Sequence, residues 1–538
     1  DLLADEIEAF AAMQASDPSW ICVLHFLLRD DPALDHILER LRGQPSPDPP
    51  QARAAVRSGF TELVCRARLE ELLRVDLGGD TEHRWAIAYG LAWLRVSGGN
   101  SVLPPWVYAT LPKVPALIQE LREIDCGRPE CRYCSHQHDP ESLLLQNFQL
   151  PSFRAHPANR AGSSLQRDIV EAGLKRRSLL AILPTGGGKS ICYQLPALAH
   201  YWRSGKLTVI VSPLQSLMKD QVDNLVARGV QCAVTINGLL TAPERTAALD
   251  KIRLGDAGIL LVSPEQFRNR RFVDAIRLRQ IATWVFDEAH CLSKWGHDFR
   301  TDYLYVARFI RESSSAQGAP VACFTATAKP DVIDDLLDHF KAELGLELEL
   351  FDGGHERSNL EYVVVPVDQA EKAQRIVELL ARELRHGGAA VVFCSKRKNT
   401  ELYAELIAKS RLRCAHFHGG LLPNRKKEIQ QAFLDGELDV IAATNAFGMG
   451  VDKPDIRVVI HADIPGSLES YLQEAGRAGR DGKPAKCVLL FDEEDVEAQF
   501  RLSAGSQLNH RDFVGLLKGM RRRVRRFRSP EIVVSAKE

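Results

Sequence analysis

The chain has 538 residues, 45% of them hydrophobic and 26% charged, with a formal net charge of −1. That length implies three to four folded domains, and the charge balance excludes a global basic field, so any nucleic-acid surface must be local. No run of about 18 apolar residues occurs, which excludes a membrane-spanning helix as a partner for lipid. Residue 1 is Asp rather than Met, so the sequence is expected to begin inside a longer chain. Twelve cysteines are mostly scattered, several inside apolar runs (Cys323, Cys394, Cys487), as in a reduced protein of the cytoplasm.

Residues 1–120 read as an α-helical accessory region. Segments 20–42, 52–75 and 85–96 carry apolar residues at three- and four-residue spacing between Pro- and Gly-rich breaks. It is a candidate surface for protein partners.

A Cys/His cluster occupies 121–150. The pattern Cys126-x₄-Cys131-x₂-Cys134-x-His136-x-His138 has the density and ligand types of a zinc site. Cys126, Cys131, Cys134 and His138 would close a tetrahedral shell around Zn²⁺. Two alternatives stand beside it. One is an iron–sulfur cluster, given the ferredoxin-like spacing; the other is unliganded cysteines in a loop.

From about residue 160 short apolar runs alternate with helical stretches. One series covers 179–183, 207–211, 259–262, 283–286 and 321–324; a second covers 390–393, 440–443, 457–461 and 487–491. Continuously apolar strands between helices predict parallel sheets covered on both faces. Two α/β domains in tandem are therefore expected, at 151–348 and 349–500. A basic helical tail, 501–538, carries Arg521, Arg522, Arg523, Arg525, Arg526 and Arg528. Those arginines either track phosphates or form a solvated helix face.

The run at 179–183 leads into Pro184-Thr185-Gly186-Gly187-Gly188-Lys189-Ser190 and then a helix. Glycines let successive backbone N–H groups turn toward phosphates, and the helix start adds its dipole. Lys189 would reach the terminal phosphates of ATP, and Ser190 would ligate Mg²⁺. Leu183 stands where the strict phosphate-loop pattern has its first glycine. About a hundred residues on, an apolar strand ends in Asp287-Glu288-Ala289-His290. There Asp287 can hold Mg²⁺, and Glu288 can orient and deprotonate an attacking water. Together the two pieces predict ATP hydrolysis.

Longer matches surround both. They are Ile191-Cys192-Tyr193-Gln194-Leu195-Pro196, Ser212-Pro213-Leu214-Gln215-Ser216-Leu217, and Cys291-Leu292-Ser293-Lys294-Trp295-Gly296-His297-Asp298-Phe299-Arg300. The second domain adds Thr444-Asn445-Ala446-Phe447-Gly448-Met449-Gly450-Val451-Asp452 and Gln473-Glu474-Ala475-Gly476-Arg477-Ala478-Gly479-Arg480. Over roughly 160–495 this set resembles the RecQ family of superfamily-2 DNA helicases.

The resemblance implies two tandem RecA-like parallel-sheet domains. It also implies an arginine finger at Arg480 with Gln473 and Arg477 beside it, nucleotide contacts from Gly450 and Asp452, and Gln166 as adenine reader. Thr185, Gly186, Gly187 and Gly188 would cradle the phosphates. Trp295, His297, Phe299 and Arg300 would form a DNA-binding loop whose aromatic faces stack on bases and report to the adjoining acids. The family's aromatic-Arg-x-x-Gln pattern departs here, with Gly162 and Ser163 in its first places, and no cysteine follows Cys487 to build the family's later zinc module.

The function expected is an ATP-dependent DNA helicase moving 3′ to 5′ on single-stranded or tailed duplex DNA. Its rivals are an ATP-driven translocase or loading factor in a bacterial defence or DNA-modification assembly, an RNA helicase, and a scaffold with a vestigial ATPase. Intact Lys189, Asp287, Glu288 and Arg480 argue against the scaffold.

Overall fold

The computed structural model describes residues 60–72, 81–97, 102–213, 215–238, 240–293, 300–313, 318–326, 329–354, 357–447, 453–497 and 518. The expected helix at 20–42, the start of segment 52–75 and the arginines at 521–528 lie outside the described residues. The chain divides into two compact units, Asp1–Arg357 and Ser358–Glu538.

In the first unit seven strands form one sheet. They are β1 (Leu179–Ile182), β2 (Leu207–Val211), β3 (Ala233–Ile236), β4 (Ile259–Val262), β5 (Ile281–Asp287), β6 (Val321–Thr325) and β7 (Glu349–Asp352). Their order is β3-β4-β2-β5-β6-β1-β7, every pairing parallel. Side chains alternate between two cores, as the pleat requires. Leu180, Ile182, Val209, Val211, Trp284 and Phe286 face one; Leu179, Ala181, Ile210, Val285 and Phe324 face the other. Trp284 is fully buried, and truncating such a side chain to Ala costs about 3–5 kcal/mol.

The second unit holds β8 (Leu360–Pro366), β9 (Ala389–Phe393), β10 (Cys414–Phe417), β11 (Val440–Ala443), β12 (Ile456–His461) and β13 (Ala485–Phe491). These also pair in parallel, in the order β10-β11-β9-β12-β13-β8. The first unit runs past the expected boundary at 348, because Glu349–Asp352 pairs with Leu179–Ile182 as an edge strand.

Accessory helices Arg66–Leu72, Thr81–Val96, Pro105–Thr110 and Lys113–Glu123 enclose their own core of Phe60, Tyr89, Leu91, Val107, Leu117 and Leu121. Two further helices, Arg132–Gln137 and Pro140–Phe148, lead into the sheet domain, where Leu143, Leu144 and Phe148 join the second core of the first sheet. Among the described residues no helix is long and apolar enough to cross a membrane.

Candidate nucleotide site and thiol cluster

β1 ends where Pro184 cannot donate to a ladder. The loop then turns through Gly186 (φ 78°) and Gly188 (φ 81°) into the helix Lys189–Ser204. Gly188 is required twice over. Its φ lies in the left-handed region, and a Cβ there would fall 2.2 Å from Nε2 of Gln166. A Cβ on Gly187 would meet the Pro184 carbonyl oxygen at 2.8 Å.

Gln166 braces this turn from the helix Leu165–Leu174. Its buried side chain donates through Nε2 to the Gly188 carbonyl at 3.0 Å and accepts the Arg154 backbone N–H at 3.0 Å through Oε1. Arg154 donates to the Gly186 carbonyl, and Arg357 Nη1 to that of Thr185 at 3.2 Å. Sequence reasoning missed both arginines, which act on backbone carbonyls and belong to no recurring short pattern.

The acids sit at the end of β5, next to β1 across only β6 in the sheet order. Lys189 Nζ lies 3.4 Å from Glu288 Oε1. Glu288 takes a left-handed backbone (φ 49°) at the strand end, which separates its direction from that of its neighbour. Its Oε2 is 3.5 Å from His290 Nδ1, which is itself 3.0 Å from Thr325 Oγ1 on β6. Asp287 is buried; burial, then the charge of Glu288, push its carboxyl up to about 7, with Lys189 opposing. A divalent cation would reverse that shift by favouring the carboxylate. Tyr193 OH lies 3.4 Å from Ser190 Oγ and 3.2 Å from Gln221 Oε1.

A glycine-rich turn, a lysine, a hydroxyl and two acids therefore converge at the C-terminal ends of β1 and β5. The arrangement can hold a nucleoside triphosphate with Mg²⁺ and activate water against its terminal phosphate. His290 and Thr325, not singled out from sequence as site residues, connect the strand bearing the acids to the neighbouring strand.

Arg300 is half-buried, with Nη1 donating to the Pro213 carbonyl at 3.2 Å. Trp295, His297 and Phe299 lie outside the described residues, as do Gly450 and Asp452.

In the second unit the helix Leu468–Ala475, capped by Ser467 on the Ser470 N–H at 3.1 Å, carries Gln473 and leads to Arg477 and Arg480. Arg477 is buried, and burial, then the like charge of Arg480, pull its guanidinium down to about 9. Gly479 (φ 58°) permits this turn. A Cβ there would sit 2.6 Å from Asn359 Nδ2, which donates to the carbonyls of Gly479 and Lys483 at 2.8 and 2.9 Å.

The thiol cluster differs from the expected ligand set. Cys126, Cys131 and Cys134 do converge, but the fourth group is Cys65, not His138. His138 points away, its Nε2 held 3.0 Å from the Arg122 carbonyl. Cys65 reaches the cluster because its backbone N–H donates to Leu121 O at 2.9 Å, pinning the chain beside the end of the helix Lys113–Glu123.

Residues 163–336 match the DEAD/DEAH box helicase family, and residues 371–482 match the helicase conserved C-terminal domain. The chain is 39% identical over 360 residues to the probable ATP-dependent DNA helicase RecS of Bacillus subtilis, covering 67% of this chain and 68% of that protein. It is 38% identical to the ATP-dependent DNA helicase RecQ of the same organism, over 67% of this chain and 58% of that one. The match to the RecQ-like DNA helicase blm-1 of Caenorhabditis elegans is 38% identical and spans 33% of that protein. Among solved structures, helicase Lhr of Mycobacterium smegmatis bound to ssDNA and AMP-PNP aligns with a TM-score of 0.53 at 20% identity, covering 66% of this chain and 49% of that one. The DEAD-box helicase Mss116 bound to ssRNA and UDP-BeF aligns at 0.52 and 21%, covering 62% and 70%. At these identities the structural matches establish the fold, two tandem RecA-like domains.

Proposed function

The chain belongs to the RecQ family of superfamily-2 ATP-dependent helicases, and from that premise we propose that it couples ATP hydrolysis to 3′-to-5′ movement along single-stranded DNA and to strand separation. The observation that carries this reading is the convergence of Lys189, Asp287 and Glu288 at the C-terminal ends of β1 and β5, with Lys189 Nζ 3.4 Å from Glu288 Oε1. A vestigial site has no reason to hold a lysine against its water-activating acid beside a buried metal-binding acid.

In this reading Thr185, Gly186, Gly187, Gly188 and Lys189 take the phosphates, Ser190 and Asp287 take Mg²⁺, and Glu288 is the general base. Gln166 supports the adenine end while it braces the loop. Gly450 and Asp452 contribute to nucleotide binding from the second domain. Arg480 supplies charge to the transition state, with Gln473 and Arg477 orienting it. The loop of Trp295, His297, Phe299 and Arg300 stacks on unpaired bases and passes their presence to Asp287 and Glu288, a few residues upstream. Arg300 does so through its anchor on the Pro213 carbonyl.

The deciding experiment measures ATP turnover with and without single-stranded DNA, alongside displacement of 3′-tailed and 5′-tailed duplexes. DNA-stimulated turnover with displacement of the 3′-tailed duplex alone is the expected result. Stimulated turnover with neither duplex displaced would replace the proposal with a translocase or loading factor. Stimulation by RNA alone would move the substrate class.

A further inference from the structure

Outside the nucleotide site, the sulfurs of Cys65, Cys126, Cys131 and Cys134 lie within 4.8 Å of one another, three of them buried and Cys126 half-buried. All four are free cysteines. Zinc bound tetrahedrally at about 2.3 Å from each sulfur needs sulfurs about 3.8 Å apart, inside that spread.

The local backbone fixes the approach of Cys126 and Cys131. Gly127 (φ 65°) turns the chain directly after Cys126, with its N–H donated to Asp125 Oδ1 at 3.0 Å, and the Cys131 N–H closes on the Arg128 carbonyl at 3.0 Å.

A second observation is independent of the cysteines. Arg203, in the last turn of the helix Lys189–Ser204, is fully buried, and its Nε and Nη1 have no hydrogen-bond partner among the described residues. Its Nη2 donates to the Gln137 carbonyl. Glu123 is the carboxylate whose charge favours it, and Glu123 is already committed to Lys206 at 2.8 Å. A buried cation needs a counter-charge. Four neutral thiols offer none, whereas zinc with four thiolates carries two net negative charges.

We propose that a structural zinc ion held by Cys65, Cys126, Cys131 and Cys134 staples the start of the accessory helices to the helix Arg132–Gln137, whose Gln137 carbonyl accepts from the buried Arg203. This centre joins a segment before Arg66–Leu72 to one after Lys113–Glu123, so the metal closes a long loop that hydrogen bonds alone would hold weakly. His138 is outside the ligand set.

The test uses the whole chain purified without chelator. About one zinc per chain is expected by elemental analysis, as a closed four-ligand site requires. After exchange for cobalt, visible bands of tetrahedral cobalt should appear with thiolate charge-transfer intensity for four sulfurs. His138→Ala should keep both the zinc and the full intensity; Cys65→Ser should lower the intensity to that of three sulfurs or lose the metal. Removing zinc should lower the melting temperature. Absence of metal, iron in its place, or disulfides among these cysteines would overturn the proposal. Loss of metal from His138→Ala with a folded, fully loaded Cys65→Ser would overturn the ligand assignment. The cobalt intensity of the wild type and of His138→Ala decides the matter even if Cys65→Ser does not fold.

Discussion

Lys189 Nζ and Glu288 Oε1 stand 3.4 Å apart, joining the first residue of the phosphate-loop helix to the residue just past the end of β5. In the proposed reading a bound nucleotide draws the lysine to phosphate and frees the carboxylate for water. Lys189→Ala is therefore expected to abolish turnover through loss of nucleotide contacts. Glu288→Gln should bind nucleotide as well as the wild type or better, because one negative charge leaves the phosphate site. Its kcat should fall about 10²–10⁴-fold, the usual contribution of a general base. Single-turnover hydrolysis and equilibrium nucleotide binding separate the two effects; a Glu288→Gln protein with wild-type kcat would remove Glu288 from the base role.

Gly188→Ala tests the loop rather than the chemistry. The left-handed conformation costs a β-carbon residue about 1–2 kcal/mol, and the added carbon would strike Nε2 of Gln166, which lies 2.2 Å from its position. Gln166 must then release the Gly188 carbonyl, so nucleotide affinity should drop at least tenfold and the melting temperature should fall by about a few degrees. Fluorescent-nucleotide titration gives the answer, and unchanged affinity would show that Gln166 does not brace the loop.

What the sequence revealed and what it hid follow one physical line. Every interior strand was legible, because residues covered on both faces form continuous apolar runs. The four strands not anticipated, β3, β7, β8 and β10, are the four sheet edges. β7 and β8 alternate or expose most of their residues, as in Leu360–Pro366, where Val364 is 61% exposed. The glycine turn before Lys189 and the acids at the end of β5 were legible because a tight turn and a strand end tie residue type to local spacing. Cys65 was not, since its three partners lie beyond four intervening helices and only the tertiary fold brings it to them. His138 looked the better ligand by spacing alone, yet a half-buried ring nitrogen paired with the Arg122 carbonyl has another use.

Arg477 and Arg480, three positions apart, should separate on mutation. Arg480→Ala is expected to retain nucleotide and DNA binding and to lose about 10³-fold or more in kcat, as for a transition-state arginine. Arg477 is buried, so Arg477→Ala should lower the melting temperature as well as the rate. Circular dichroism melts beside steady-state ATPase assays distinguish them. Equal destabilisation by both substitutions would make Arg480 structural.

Acid should loosen the helix Lys189–Ser204 through His200. This imidazole is 1% exposed, with Nε2 3.1 Å from the Gly173 carbonyl. Burial first, then the Arg203 charge, pull its pKa down from the ordinary 6.5 to about 3. Between those values the folded chain binds fewer protons at this site than the unfolded chain. The stability associated with neutral His200 is therefore complete above pH 6.5 and is lost progressively as pH falls toward 3. Each pH unit in that window removes at most about 1.4 kcal/mol per proton taken up. His200→Gln keeps an N–H donor for Gly173 but cannot titrate. Denaturant midpoints measured for both proteins from pH 7.5 to about 4.5 should diverge below pH 6.5, the wild type falling more steeply. Parallel curves across the whole range would mean that His200 carries its proton in the folded state or that local opening lets water reach it.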